Sequence, residues 1–341
     1  MLDLIRDIEG QPAALIDNAA ILERAYAELP AWIDSGDFVV TGMATSLWAW
    51  HSATIVAQSA AARLTLVDTS EYLRYGPVAD DASPIVITSR SGESAEIVKV
   101  LDRLRPGRGV IGVTATAGST LAQRSSHILA FRAEEAAFCN TQSFLMTLAV
   151  ALASAAGVSG RRDLAPVAWV KKTADAVAGI VSQTSGAFEE AAAALSGARV
   201  ALITSRGHLL GVAQQAALDL QEGMRLAALP VPGGLLRHGP LELIRLADSA
   251  MIMLLPNDHM AATMIQAAQD VIANGTPVII FSASEVPSPA GSVEIRVPDL
   301  GIELAPIVFA VALQRLNVAL AEALGMSAIE PVLIPKVTRV E

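Results

Sequence analysis

An α/β fold of two tandem domains, each a parallel sheet flanked by helices, is predicted by three observations. Short apolar runs alternate with helical stretches, the core is aliphatic, and the chain repeats itself. At 341 residues the chain exceeds the roughly 100–200 residues of one domain. Hydrophobic residues make up 52% and aromatic residues only 4%, a composition suited to helices packed on buried parallel strands. Leu73-Arg-Tyr-Gly-Pro77 recurs as Leu236-Arg-His-Gly-Pro240, an offset of 163. At the same offset Val39-Val-Thr-Gly42 lines up with Leu202-Ile-Thr-Ser205, and two matches in register indicate an internal duplication.

The elements follow in the same order in each half. Helical stretches at Leu2–Asp7 and Ala13–Leu29 come first. Strands are then expected at Phe38–Thr41, Leu64–Val67, Pro84–Ser89, Gly109–Thr114 and His127–Phe131. Their counterparts are Val200–Thr204, Leu226–Val231, Ala250–Leu255, Pro277–Ser282 and Val293–Val297. Alternation with helices implies right-handed crossovers, with ligands outside the carboxyl ends of the strands. Gly, Ser and Arg cluster at Gly157–Asp163 and mark the boundary. The expected division is a helical segment 1–35, domains 36–160 and 161–326, and an irregular tail 327–341.

The formal net charge of −10, from 24 basic and 34 acidic residues, and the lack of a Lys/Arg cluster argue against a nucleic-acid surface. No basic recognition helix precedes the first strand. An anionic ligand would have to be held locally by N–H groups and hydroxyls. Cys139 is the single cysteine, which excludes an intrachain disulfide or a cysteine cluster. The five histidines have no paired ligand spacing, so no metal and no cofactor are expected. The acidic start Met-Leu-Asp-Leu-Ile-Arg-Asp does not resemble a secretion signal. Phe144–Val158, the most apolar stretch, is shorter than the ~20 residues of a membrane span and reads as a buried helix. A cytoplasmic protein with no membrane partner is expected.

The sharpest local signal is Ile87-Thr-Ser-Arg-Ser-Gly-Glu-Ser94, an apolar strand ending in a Ser-x-Ser-Gly-x-Ser turn before the helical stretch Ala95–Leu104. Hydroxyls and free N–H groups at a helix N-terminus form an anion site, and Gly92 permits close approach. One of these serines would equally serve as an ordinary N-cap. A second turn, Gly42-Met-Ala-Thr-Ser46, adds Thr45 and Ser46, and lacks the glycine spacing of a dinucleotide site. Three candidate proton or electron handlers stand in the second half: Glu222 on a helix expected at Gly211–Leu226, His238 in the loop after it, and Lys336 in the tail. Each alone is also an unremarked surface residue. Together they match the needs of sugar chemistry: an imidazole to open a ring, a carboxylate to move a proton between C1 and C2, a lysine to form a Schiff base.

At these residues the sequence resembles the sugar isomerase (SIS) family, namely the isomerase half of glucosamine-6-phosphate synthase and stand-alone amino-sugar-phosphate deaminases and fructosamine-phosphate deglycases. Gly42-Met-Ala-Thr-Ser46 matches the family's Gly-x-Gly-Thr-Ser turn, with Ala44 for the second Gly. Ser89-Arg-Ser-Gly-Glu-Ser94 matches its sugar-phosphate loop, and Asn140-Thr-Gln-Ser-Phe144 resembles Ser-Thr-Lys-Ala-Phe. Glu222, His238 in Leu-Arg-His-Gly-Pro, and Lys336 in Pro-Lys-Val-Thr-Arg-Val-Glu fall on the family's proton-transfer glutamate, ring-opening histidine and Schiff-base lysine.

The resemblance implies two flavodoxin-like three-layer sandwiches. It implies phosphate and sugar binding by Thr45, Ser46, Ser89, Arg90, Ser91, Ser94, Asn140 and Thr141. It also implies a homodimer, because the family's histidine reaches the neighbouring subunit. Arg90, in place of glutamine, would add a charge-assisted contact to phosphate. Gln142, Asp219 and Gln221 replace lysines of the synthase, and no glutaminase domain or N-terminal cysteine is seen. Amino-sugar-6-phosphate deamination or isomerisation is therefore the expected activity. A fructosamine-phosphate deglycase, or a phosphosugar-sensing regulator without catalysis, is the alternative.

Overall fold

The computed structural model describes the chain apart from residues 34–37, 59–61, 77–82, 185, 246–247, 330, 334 and 340–341. The expected 35/36 domain boundary, Pro77 of the first repeat and the final Glu341 lie outside the described residues. Two five-stranded sheets, every pair parallel, realise the expected alternation. The first holds β1 (Phe38–Gly42), β2 (Leu64–Asp68), β3 (Ile85–Thr88), β4 (Val110–Thr114) and β5 (His127–Ala130) in the order β2-β1-β3-β4-β5. The second holds β6 (Val200–Ser205), β7 (Ala227–Pro232), β8 (Ser249–Leu255), β9 (Val278–Ser282) and β10 (Ser292–Arg296) in the order β7-β6-β8-β9-β10. These are one topology written twice. β3, β4, β8 and β9 are buried along their whole length, as parallel strands covered on both faces must be.

The helices come in chain order as α1 (Leu2–Glu9), α2 (Gln11–Asp17), α3 (Ala19–Trp32), α4 (Thr45–Trp48), α5 (His51–Gln58), α6 (Thr69–Tyr75), α7 (Ala95–Arg103), α8 (Thr120–Arg124) and α9 (Gln142–Val158). The later ones are α10 (Pro166–Val181), α11 (Ala187–Ser196), α12 (Leu210–Met224), α13 (Ala261–Ala273) and α14 (Ala305–Ala323). The helix expected at 13–29 is in fact two, α2 and α3, broken at Asn18. That side chain donates to the Ala14 carbonyl at 2.8 Å and the Arg132 carbonyl at 2.9 Å, and accepts from the Arg132 N–H at 2.8 Å. Such side-chain bonds compete with the helix ladder.

By contacts the chain forms two units, each discontinuous in sequence. The first-sheet unit is Gly10–Glu135, Gln142–Ala174 and Pro331–Glu341; the second-sheet unit is Met1–Glu9, Ala136–Thr141 and Asp175–Glu330. Within the first, α9 is buried from Gln142 to Ala156. A Cβ at Gly157 would sit 2.0 Å from the Tyr26 carbonyl oxygen, so this glycine lets the middle of α3 approach the end of α9 as well as punctuating the chain. Within the second, α14 is long and apolar enough to cross a membrane, yet 78% of its apolar window is buried inside the protein.

Candidate functional site

β1 and β3 are neighbours in the first sheet, and the chain leaves them for β2 and β4 on opposite sides. The crevice between their carboxyl ends is thus the topological switch point where open α/β sheets take ligands. The two ends lie close. A Cβ at Gly42 would fall 2.7 Å from Thr88 Cγ2 and 2.9 Å from the Thr88 carbonyl oxygen. Ala44 then adopts φ 43° and ψ −117°, a conformation that favours glycine and strains a residue with a Cβ. Thr45, buried, and Ser46, half-buried, begin α4.

The loop after β3 is fixed by its own backbone. The Ser89 hydroxyl accepts from the Gly92 N–H at 3.1 Å, and the Ser91 hydroxyl from the Glu93 N–H at 3.2 Å. The Arg90 carbonyl accepts from the Ala115 N–H and from the hydroxyls of Thr114 and Thr116, at 3.1, 3.0 and 3.2 Å. Gly92 has φ 65°, and a Cβ there would lie 2.2 Å from Ser119 Oγ, so no other residue fits. Glu93 turns away: its carboxylate accepts from the Thr120 N–H at 2.6 Å and the Thr120 hydroxyl at 2.9 Å, covering the start of α8. Ser94 occupies the N-cap position of α7, but its side chain makes no capping bond. The alternative open in the sequence, an ordinary cap, is therefore not the role Ser94 plays.

Arg90 has a side-chain partner that its motif does not show. Its guanidinium pairs with Glu135 at 3.0 Å, with Glu135 only 4% exposed. The same carboxylate accepts from the Ser143 N–H at 3.0 Å and the Ser143 hydroxyl at 2.7 Å. Glu135 lies 45 residues away in sequence, so the pairing could not be read from the motif. Arg90 ties the Ser89–Ser94 loop to the start of α9.

The tail also belongs to the first-sheet unit. The Thr338 carbonyl accepts from the Ala95 N–H at 3.1 Å, laying the chain beside the first turn of α7. Lys336, exposed, stands two residues earlier. This unit thus gathers Thr45, Ser46, Ser89, Arg90, Ser91 and Ser94 at one sheet end, with the segment of Lys336 bonded to the adjoining helix start.

Asn140, Thr141, Glu222 and His238 belong to the second-sheet unit. Glu222 lies half-buried on α12, and burial raises its pKa above the ordinary carboxylate value. Ligand atoms of Cys139, Asp219 and Glu222 lie within 4.8 Å of one another. Asp219 accepts from Gln215 Nε2 at 2.7 Å and Asn317 Nδ2 at 3.5 Å, so the trio is part of a hydrogen-bonded cluster. His238 is exposed in a turn in which its N–H donates to the Leu235 carbonyl at 2.7 Å.

The loop carrying Asn140 and Thr141 has a support that the sequence reading missed. Asp7, 1% exposed, accepts at Oδ2 from the Ala136 and Ala137 N–H groups, both at 2.7 Å. An acid on the buried face of an N-terminal helix was the one available signal.

The SIS domain family matches residues 49–156. The glutamine–fructose-6-phosphate aminotransferase [isomerizing] of Pyrobaculum aerophilum is 26% identical over 99% of this chain and 57% of its own length. The same enzyme of Legionella pneumophila is 29% identical over 80% of this chain and 46% of its own. The chain spans about half the length of these curated relatives. Among solved structures, the C-terminal domain of glucosamine-fructose-6-phosphate aminotransferase from Francisella tularensis superposes with a TM-score of 0.81 at 22% identity, covering 96% of this chain and 98% of that one.

Proposed function

From the SIS domain that this chain carries, and its homology to the isomerase region of glutamine–fructose-6-phosphate aminotransferases, we propose that the protein is a phosphosugar isomerase-type enzyme that deaminates and isomerises an amino-sugar 6-phosphate. We take its two halves as tandem SIS domains, because the second sheet repeats the strand order of the first. The observation that carries the reading is the turn Ser89–Ser94. It stands at the sheet's switch point, and the Ser94 hydroxyl at the α7 start makes no capping bond.

In this reading Thr45, Ser46, Ser89, Ser91 and Ser94 hold the phosphate, aided by the α7 dipole. Arg90 acts on the loop through Glu135 and positions it. Asn140 and Thr141 hold the sugar. His238 gives a proton to the ring oxygen and takes one from the C1 hydroxyl, opening the ring to the aldehyde. Glu222 removes the C2 proton and returns it to C1, while a proton passes from the C2 amine to O1, leaving a hydroxyl at C1 and an imine at C2. Its raised proton affinity suits a base working closer to neutral pH. The Lys336 amine adds to C2 and expels ammonia. Water then hydrolyses the lysine imine, releasing the ketose phosphate and restoring the amine. His238 serves the site of a second copy, so the working unit is a homodimer.

Release of ammonia and ketose phosphate from glucosamine 6-phosphate tests the reading. Turnover that falls by about 10²–10⁴ in Glu222→Gln and collapses in Lys336→Ala supports it. No turnover by the wild type, with phosphosugar binding that is lost in Ser91→Ala, would replace it by a deglycase acting on another amine or by a sensor.

A further inference from the structure

The second sheet has its own switch point, between β6 and β8, and a cation stands there unneutralised. β6 ends at Ser205, and Arg206 and Gly207 turn the chain toward α12. Among the described residues the Arg206 side chain makes no ion pair and no hydrogen bond, although its Nε is buried. The protein carries 34 acidic residues against 24 basic, so an arginine left without a carboxylate runs against the overall balance of charge.

The surroundings are shaped to the guanidinium. A Cβ at Gly233 would lie 2.9 Å from Arg206 Cγ and 3.0 Å from Nε, and one at Gly234 would lie 3.5 Å from Nη1. Two glycines in succession therefore leave a wall without side chains along the arginine. The Ser205 hydroxyl, 0% exposed, also has no partner, and no side chain caps the start of α12 or of the short turn before it. The acid on the loop after β8, Asp258, is engaged locally, its Oδ1 accepting from the Met260 N–H at 2.8 Å. A buried donor without an acceptor is costly to maintain, and a planar guanidinium offers paired donors matched to the two oxygens of an oxyanion.

We propose that this crevice is a second anion site, independent of the Ser89–Ser94 loop, in which Arg206 grips the phosphate or carboxylate group of a small molecule with help from Ser205. The test uses the full chain with Ser91→Ala/Ser94→Ala, which weakens the first-sheet loop in every arm. Inorganic phosphate and succinate are titrated separately by calorimetry. One equivalent of either binds, and which one binds identifies the group. Adding Arg206→Met weakens that binding at least tenfold, and Arg206→Lys, which keeps the charge without the fork, falls between. Without anion, Arg206→Met unfolds at the same temperature or higher, since no native partner is lost. Binding of neither probe, binding indifferent to Arg206→Met, or a lowered unfolding temperature in that variant would each overturn the site. Phosphosugar binding by the unaltered loop is read in the wild type, so failure here leaves the proposed activity standing.

Discussion

From the last residue of β1 the chain runs Gly42, Met43, Ala44, Thr45; 163 residues on, from the last residue of β6, it runs Ser205, Arg206, Gly207, His208, and in both the third residue has positive φ, 43° at Ala44 and 55° at Gly207. A positive φ at the same place thus recurs in both halves, while the side chains around it differ. The loops after β3 and β8 diverge further. The first, Ser89-Arg-Ser-Gly-Glu-Ser94, has three hydroxyls and a glycine; the second, Pro256-Asn-Asp-His-Met-Ala261, has no hydroxyl. The two sheets share the strand order that makes a switch point, while the loops at it carry different side chains.

The strongest way to break that comparison is at the position four residues beyond each strand. Gly92→Ala forces a Cβ into Ser119 at a positive φ, and should cost about 3 kcal/mol in urea unfolding, with loss of the phosphate binding proposed for this loop. His259→Ala, at the matching place in the second half and exposed, should change stability by less than about 0.5 kcal/mol. Equal losses would mean that both loops are built alike. A reciprocal exchange sharpens the shared turn. Ala44→Gly should stabilise by about 1 kcal/mol through relief of strain, and Gly207→Ala should destabilise by about the same. Destabilisation in both would show Ala44 to be unstrained.

The smallest effect is in pH. Because Glu222 binds its proton more tightly folded than unfolded, the native state holds more protons between the two pKa values. Stability therefore falls as pH rises from the ordinary carboxylate value through the raised one, then levels off. Glu222→Gln should flatten that decline, seen as unfolding temperature against pH. A profile unchanged by the substitution would remove the basis for calling Glu222 a tuned base.

Much of this was legible in the sequence because it is local. All ten strands were expected within one residue of their observed ends, since each is a short apolar run bounded by turn residues. The Ser89–Ser94 turn was legible for the same reason. Long-range side-chain bonds were not. Asn18 breaks a helix by bonding Arg132, 114 residues away; Asp7 holds the loop at Ala136, 129 residues away; and Glu135 claims Arg90. A linear pattern carries periodicity and turn chemistry, but it does not say which buried polar group will meet which.

The tail has a consequence for how the protein is made. The ribosome releases the strands of the first sheet early, yet residues 331–341 of the same unit follow the whole of the second sheet. Until they emerge, the Ala95 N–H at the head of α7 is without the Thr338 carbonyl it bonds in the finished fold. The first unit to begin folding is thus completed after the second, and Lys336 reaches its place only once both sheets have been synthesised. A nascent chain stalled before Pro331 would carry both sheets and lack Lys336, so the Schiff-base step proposed for that lysine would await the tail.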